Sequence, residues 1–584
     1  MLAASTTAAR RPGPGARSPD SWRRAGVRLA AAGAFLIPLA PSPVTFDQFA
    51  LPRLVLARLL VAGLLALWLG GSIRSGRVTI RRTPLDIALL ALIASAALST
   101  LLAVNGTVAV FGAYLRYEGL LTIGTYCLLF WLVAQTLAGP RDVRAVVIAL
   151  LASAYVLSLL AIAQSLLAGR TAVVETTLTF DGWTRADATF GSPTLLGTYL
   201  AMLLPLALRE VVHSDSALAR ALAANVALTM AAALLLTFTR GAWLGAAAGV
   251  AVALLPAVRR FAAARGAAVA AGLGALALTV AAAAGAVPPV LATAGSRAAS
   301  LLTPLQGTGG FRVAVWRDTL PLVAARPVAG WGPDTFGLVH PMFRSAPTGV
   351  VDKAHSDLLQ VAATQGLIGV AATLVALGAL GVAFWRGRRS PGAFALLGAL
   401  VAYEASVQFE FAWVPVTAPF WILAAAATTA WAGAEQPRAL GFAIPTARAV
   451  RAAGVVFAAL LPVAVAVLLA GLPLAADALS FQGMAALARG DVATARARIG
   501  QARLLAPYQS TYAAEAGDVA MDLRPGGGPG PRADASAARG AYLEAARLGT
   551  GEPLVYERLA TADRALGRIA EADDASRTAR RLAG

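Results

Sequence analysis

Asp352-Lys353-Ala354-His355-Ser356-Asp357-Leu358-Leu359-Gln360, running on to Gln365-Gly366-Leu367-Ile368-Gly369, joins a long polar loop to a long apolar run. Leu358, Leu359 and Ala362 share one face of a short helix, and Gly366 is placed to end it. An ionisable His therefore stands at the start of a short amphipathic helix that leads into a membrane-type segment. The helix N-terminus favours neutral imidazole at His355, whereas Asp352 and Asp357 push the other way.

Outward from this stretch, the chain reads mostly as membrane. Of its 584 residues, 58% are hydrophobic and 14% charged, and the mean hydropathy is +0.68. An ordinary globular domain carries about 25% charge. Repeated apolar runs of roughly 20 residues point to a polytopic helical protein. The short alternating segments of a β-barrel are absent. The net charge of +19 does not indicate nucleic acid, because the arginines sit mostly between apolar runs, where they orient the chain. Lys353 is the only lysine, so a high Arg count by itself carries little functional weight. Cys127 is the only cysteine and lies in an apolar run, which excludes an intrachain disulfide or thiolate metal cluster.

The expected fold is all-α, a polytopic membrane helical bundle of about 12–13 spans with a large outer loop and a C-terminal α-helical repeat domain. Residues 1–25 read as a disordered cytoplasmic tail, 26–475 as the membrane domain with its outer loop at 288–363, and 476–584 as an extracytoplasmic helical domain. Spans are expected near 26–43, 54–71, 85–103, 119–138, 143–167, 193–211, 219–238, 241–258, 266–287, 364–385, 393–411, 414–433 and 451–475. An inside start puts Arg74, Arg77, Arg81 and Arg82, then Arg141 and Arg144, Arg209 and Arg220, Arg259, Arg260 and Arg265, Arg386, Arg388 and Arg389, and Arg438, Arg448 and Arg451 in cytoplasmic loops. That is the positive-inside pattern at each even crossing. In the tail, Ala485, Gly490, Ala495, Ala502 and Pro507 have the spacing of paired antiparallel helices, with a Pro/Gly linker at 524–531. This tail resembles tetratricopeptide repeats.

No P-loop, no paired-Asp loop and no Gly-x-Ser-x-Gly is present, and His213, His340 and His355 lack metal-ligand spacing to carboxylates. What remains is an outward-facing set of cations and one His. Arg240, in Phe238-Thr239-Arg240-Gly241-Ala242-Trp243, interrupts two apolar runs on the face that should be poor in positive charge. An Arg near bilayer depth is costly without a partner, and snorkelling to lipid phosphate is the bland alternative. Arg116 lies in Tyr114-Leu115-Arg116-Tyr117-Glu118, and Arg312 and Arg317 share the amphipathic segment 310–318. Arg317 and Arg326 read more simply as solvated loop charges. Glu404 and Glu410 fall in the outer half of one expected span, as functional acids or as partners for the arginines.

Four ordered segments resemble the O-antigen ligase and polymerase family of membrane glycosyltransferases, which use polyprenyl-pyrophosphate-linked glycans. They are Ala188-Thr189-Phe190-Gly191-Ser192-Pro193 through Leu200, Thr239-Arg240-Gly241-Ala242-Trp243, Arg312 through Phe336, and His355 through Gly369. The resemblance implies a GT-C-type helical fold and a metal-independent inverting transfer without a cofactor, placed in the plasma (inner) membrane. It also implies an essential outer His and outer arginines, here His355, Arg240 and Arg312. Arg116, Arg317 and Glu410 are taken as substrate-binding residues. Three positions depart from the family pattern: Ser356 for Asn, Gln365 for Glu and Ser192 for Asn. The implied partners are a lipid-linked glycan, a lipid, glycan or protein acceptor, and a protein docked on the tail. The rival readings are a protein O-oligosaccharyltransferase, a polysaccharide polymerase, a transporter, and a membrane scaffold whose working part is the tail. A transporter would favour broken helices and polar residues at mid-membrane, whereas here the polar residues gather at the outer edge.

Overall fold

The computed structural model describes residues 21–166, 179–180, 183–260, 287–300, 308–345, 348–432, 439–444, 448–523, 528–530 and 533–583. Seven helices among them are long and apolar enough to cross a membrane: Ala50–Ser75, Pro140–Ser165, Pro193–His213, Ala217–Leu236, Asp357–Gly387, Val414–Ala432 and Ala452–Ala488. Four shorter apolar helices, Asp86–Leu101, Leu120–Thr136, Arg240–Pro256 and Ala393–Val407, pack among them. The chain is an all-α polytopic membrane protein. The span expected at 266–287 lies outside the described residues, as do residues 1–20 of the expected N-terminal tail. Residues 21–25 are not a tail, because a helix already begins at Ser21 and runs to Leu39.

Two helix limits differ from the sequence reading. The helix expected to reach residue 411 stops at Val407, so Glu404 is inside it and Glu410 stands in the turn before Val414. The span expected to end at 475 does not end there. The helix from Arg448 passes through a π-helical stretch, Val465–Gly471, and continues to Ala488. The widened turn has a partner: Arg58 Nη1 donates to the Leu469 carbonyl at 2.6 Å. Arg53, fully buried, donates to the carbonyls of Phe49, Pro38 and Thr189 at 2.6, 3.0 and 2.6 Å and lies over the Phe190 ring. This intramembrane cation is thus satisfied locally, and it fastens the 188–193 motif to the helix Ala50–Ser75.

Loops assigned to the same membrane face touch one another. Strand Arg77–Arg81 pairs antiparallel with Ala439–Ala443, joining two loops read as cytoplasmic. Arg144 and Glu210 approach to 3.9 Å, and Arg209 packs against Gly392. At the other end of the bundle, Arg116 bonds Asp352 at 2.5 Å and Arg312 bonds Glu410.

The loop 288–363, read as outer from the sequence, is folded over most of its described residues. It contains the helices Val287–Ala299 and Thr308–Ala325 and a small core of Val315, Leu322, Phe336, Val339, Val351, Ala354 and Ala363. Gly366 breaks the helix that follows His355, at φ 67° and ψ −166°. Only glycine adopts this geometry readily, and a Cβ there would run into the Val328 carbonyl. The turn-rich segment 326–336 braces the break. Leu367 and Ile368 donate to the carbonyls of Pro327 and Val328 at 2.7 and 3.3 Å, while Trp331 and Gly332 donate to Ala363 and Thr364 at 3.1 and 2.9 Å.

The tail is built from helical hairpins, as its small-residue spacing predicts. Gly490, at φ 84°, turns the chain between Leu472–Ala488 and Val492–Leu505. The next helices, Ser510–Ala520, Ala535–Leu548, Pro553–Ala565 and Ile569–Ala583, stack in order around Tyr542, Val555, Leu559 and Ala572.

Candidate functional site

The left-handed backbone at His355, φ 50°, turns the chain into the helix that begins at Asp357. Fully buried Ala354 and Ala363 fix this corner from either side. The imidazole stands edge-on between Phe311 and Phe411, with ring centroids 5.5 and 5.6 Å away. Its Nδ1 lies 3.9 Å from Glu410 Oε2, and the other Glu410 oxygen accepts a hydrogen bond from Arg312. One buried carboxylate, 7% exposed, therefore serves both the His and an Arg. Arg312 lies in the second turn of Thr308–Ala325, on the stripe shared with Val315, Thr319 and Leu322 that seats this helix.

Arg240 opens the helix Arg240–Arg260 and donates through Nη1 to the carbonyl and hydroxyl of Ser300 at 2.8 and 3.1 Å. Two further arginines, which the sequence reading did not single out, join this group. Arg185 donates to the Thr237 carbonyl and the Thr239 hydroxyl, each at 3.0 Å. Arg297 donates to the Phe238 carbonyl at 3.2 Å. Burial lowers the Arg297 guanidinium to about 10, helped by the nearby charges of Arg240, Arg185 and Arg312. Burial also lowers Arg185, against the opposing pull of Glu410. Four guanidiniums and Glu410 thus form one electrostatic group. Asp187 borders it; burial pushes its carboxyl up to about 6, although Gln164 and Arg185 resist. The tandem Arg-Ala-Asp before the Phe190 motif was the available signal for Arg185. Arg297 had none, because helical position alone decides what it meets.

Of the other expected residues, Arg116 is engaged in structure. Its guanidinium bonds Asp352, lies over the rings of Phe411 and Trp413 at 5.1 and 4.8 Å, and its carbonyl accepts from Trp413 Nε1. Burial pushes Asp352 up, but the Arg116 charge and hydrogen bond outweigh it and hold the group below its ordinary value. Arg116 therefore braces the 411–413 turn beside Glu410. Arg317 is exposed, five residues from Arg312 and so on another side of the helix, and its expected place at the site is corrected to the solvent face. Arg326 covers Trp331 at 4.3 Å and donates to the Leu102 carbonyl. Among the histidines, His213 is exposed, and His340 is buried against Phe336 and Asp318.

A separate cavity of about 170 Å³ is lined among others by Glu118, Lys353, Asp357, Tyr403 and Glu404. Burial pushes Glu118 up to about 8, against the pull of Lys353. Glu118 is therefore largely protonated at neutral pH, so this cavity differs in charge from the arginine group around Arg240 and Arg312.

No curated protein matches the chain. Residues 226–374 match the family model described as O-antigen ligase, a stretch that contains Arg240, Arg297, Arg312 and His355. The chain is thus a multi-pass helical membrane protein that is similar to the O-antigen ligase family over residues 226–374, and this match supports a membrane glycan ligase or polymerase kind of function.

Proposed function

We propose that the protein transfers a glycan from a polyprenyl-pyrophosphate donor to an acceptor hydroxyl at the outer membrane face. The observation that carries this reading is the sharing of Glu410 between His355 and Arg312 at the edge of an arginine group. Phosphate oxygens are held strongly by guanidinium forks through charge-assisted bonds, and Arg240 and Arg312 supply two of them. Glu410 Oε2 stands 3.9 Å from Nδ1 of His355; closing to hydrogen-bond distance when the site fills, it would hold the proton on Nδ1 and leave Nε2 toward the acceptor as the basic nitrogen.

The acceptor oxygen attacks the anomeric carbon as its proton passes to His355 Nε2. The bond from the anomeric carbon to the phosphate oxygen breaks, and its electron pair leaves with the lipid pyrophosphate. Attack opposite the leaving group inverts the anomeric centre. The donor is already activated, so no nucleotide enters. Guanidiniums take the neutralising part that a metal ion takes in other phosphate chemistry.

The test is transfer by the purified protein from a polyprenyl-pyrophosphate oligosaccharide, with and without EDTA. Transfer that persists in EDTA and falls roughly 10²–10⁴-fold in His355→Ala supports the reading. Full activity of His355→Ala ends it. Product size and linkage then separate capping of a lipid acceptor from polymerisation and from protein glycosylation.

A further inference from the structure

The turn Thr237-Phe238-Thr239-Arg240 organises more cation than two-arginine binding requires. Phe238 holds a left-handed φ of 48°, which points successive backbone groups to different sides. The Thr237 carbonyl receives Arg185 and the Phe238 carbonyl receives Arg297. Arg240, two residues after Phe238, bonds Ser300, whose hydroxyl donates back to the Arg297 carbonyl at 2.6 Å. Ala186 N donates to the Leu236 carbonyl at 3.0 Å, so the segment carrying Arg185 is pinned to the same turn. Neither Arg185 bond uses Nη1, which keeps that edge of its fork for another acceptor.

Clustering these charges costs free energy, and among the described residues Glu410 and Asp187 are the carboxylates coupled to them. A pyrophosphate linked at both ends carries two negative charges. When the glycosidic bond breaks, the departing lipid pyrophosphate carries a third. A cradle of several guanidiniums favours the more highly charged departing form over the bound donor, which is the difference that accelerates the step.

Resting on the donor assigned above, we propose that Arg185 and Arg297 are donor-binding residues that complete a four-guanidinium pyrophosphate cradle with Arg240 and Arg312. They act chiefly on the charge that develops on the leaving group, so their loss shows more in kcat than in donor KM.

The experiment uses the full-length protein in lipid nanodiscs. It measures kcat, donor KM and inhibition by polyprenyl pyrophosphate and by polyprenyl monophosphate, for wild type, Arg185→Gln and Arg297→Gln. The expected result is a kcat lowered roughly 10–10³-fold with a smaller change in KM. The preference for pyrophosphate over monophosphate inhibitor should drop at least about tenfold, the scale of one lost charge-assisted contact. Thermal melting identifies a variant that has lost its fold, and Arg185→Lys and Arg297→Lys, which keep the charge, then take its place with partial loss of the same preference. Variants that melt like wild type and keep the full pyrophosphate preference overturn the assignment, whatever happens to kcat, because a purely structural role leaves that preference untouched. If the wild type neither transfers from the lipid-linked donor nor binds polyprenyl pyrophosphate, the donor reading itself fails and this inference falls with it.

Discussion

Replacing Glu410 by Gln separates the two duties of that carboxylate. Gln keeps the shape but removes the negative charge between Arg312 and His355. Breaking a fully buried ion pair costs about 3–5 kcal/mol, but Arg312 is 18% exposed and borders other polar groups, so about 1–3 kcal/mol is expected here. At an effective dielectric of about 20, one unit charge about 7 Å from a phosphate is worth roughly 2 kcal/mol, reduced further by water in the site. Removing that repulsion should tighten donor binding by several-fold. The imidazole meanwhile loses the group that faces Nδ1, and kcat should fall roughly 10–10²-fold, short of deleting the base altogether. The signature is thus a lower kcat together with a lower donor KM. Initial rates over a range of lipid-linked donor, with melting curves in the same detergent, give both. A KM that rises would mean that Glu410 holds the substrate, as the sequence reading had it. An unchanged kcat would mean that it does not act on His355 at all.

Gly366→Ala should destabilise the outer loop by about 1–3 kcal/mol, because alanine must hold a glycine-only backbone against the Val328 carbonyl; faster proteolysis within 326–345 than in wild type would report it, and an unaltered cleavage rate would refute it. The Asp187 carboxyl, at about 6 instead of its ordinary 3.8, is neutral below that pH and adds negative charge beside Arg185 above it. Donor KM should therefore rise as pH climbs through 6, and Asp187→Asn should flatten that slope; a slope that survives belongs to another group. The same raised pKa adds stability that is full below about pH 4 and is lost as pH passes 6, so Asp187→Asn should also reduce the fall in melting temperature over that window. Asp477→Ala removes a fully buried carboxylate that accepts from Asp47 N, Tyr114 Oη and Tyr512 Oη at 2.9, 2.6 and 3.0 Å. A loss of about 2–4 kcal/mol in melting assays is expected, and a wild-type melting curve would show that this junction is dispensable.

The helical bundle was legible because membrane burial demands runs of one composition, and Arg placement between runs needs no tertiary knowledge. The Gly366 stop was legible for a local reason too: a glycine after a short apolar stripe is a helix-end signal. Glu410 was found but placed inside a helix, since Phe409-Glu410-Phe411 reads as apolar and nothing local marks the end at Val407. The site was legible only where its residues stand in motifs. Arg185 and Arg297 look like any loop arginine until the carbonyls of one turn gather them. Arg53 and Arg58 were passed over inside an apolar run, and their meaning lies in carbonyls supplied by Pro38, Thr189 and Leu469. Arg317 misled because it shares a segment with Arg312, while helical geometry sends the two in different directions.

The tail was expected to offer a surface for a partner, apart from the chemistry. Its contacts place it closer to the site than that. It begins as the uninterrupted end of the last apolar helix, and Asp477, in that extension, bonds Tyr114 two residues before Arg116. Tyr508 stacks on Phe111 with centroids 3.8 Å apart. Further along, the Arg547 carbonyl accepts from Asn105 at 3.3 Å, and the Arg581 carbonyl in the last helix accepts from Arg344 at 2.7 Å. The tail thus touches the 105–114 loop and also the segment leading to His355. Leu115, Arg116 and Tyr117 are caught between these supports, with φ of 68° at Leu115 and 57° at Tyr117. Non-glycine residues hold such angles only when their surroundings over-determine them. The tail is one of those surroundings, and Arg116, through Asp352 and the stacked Phe411 and Trp413, passes its constraint to the turn that carries Glu410. A helical tail that holds the loops of a membrane site in this way need not touch the substrate to set how well the site is formed.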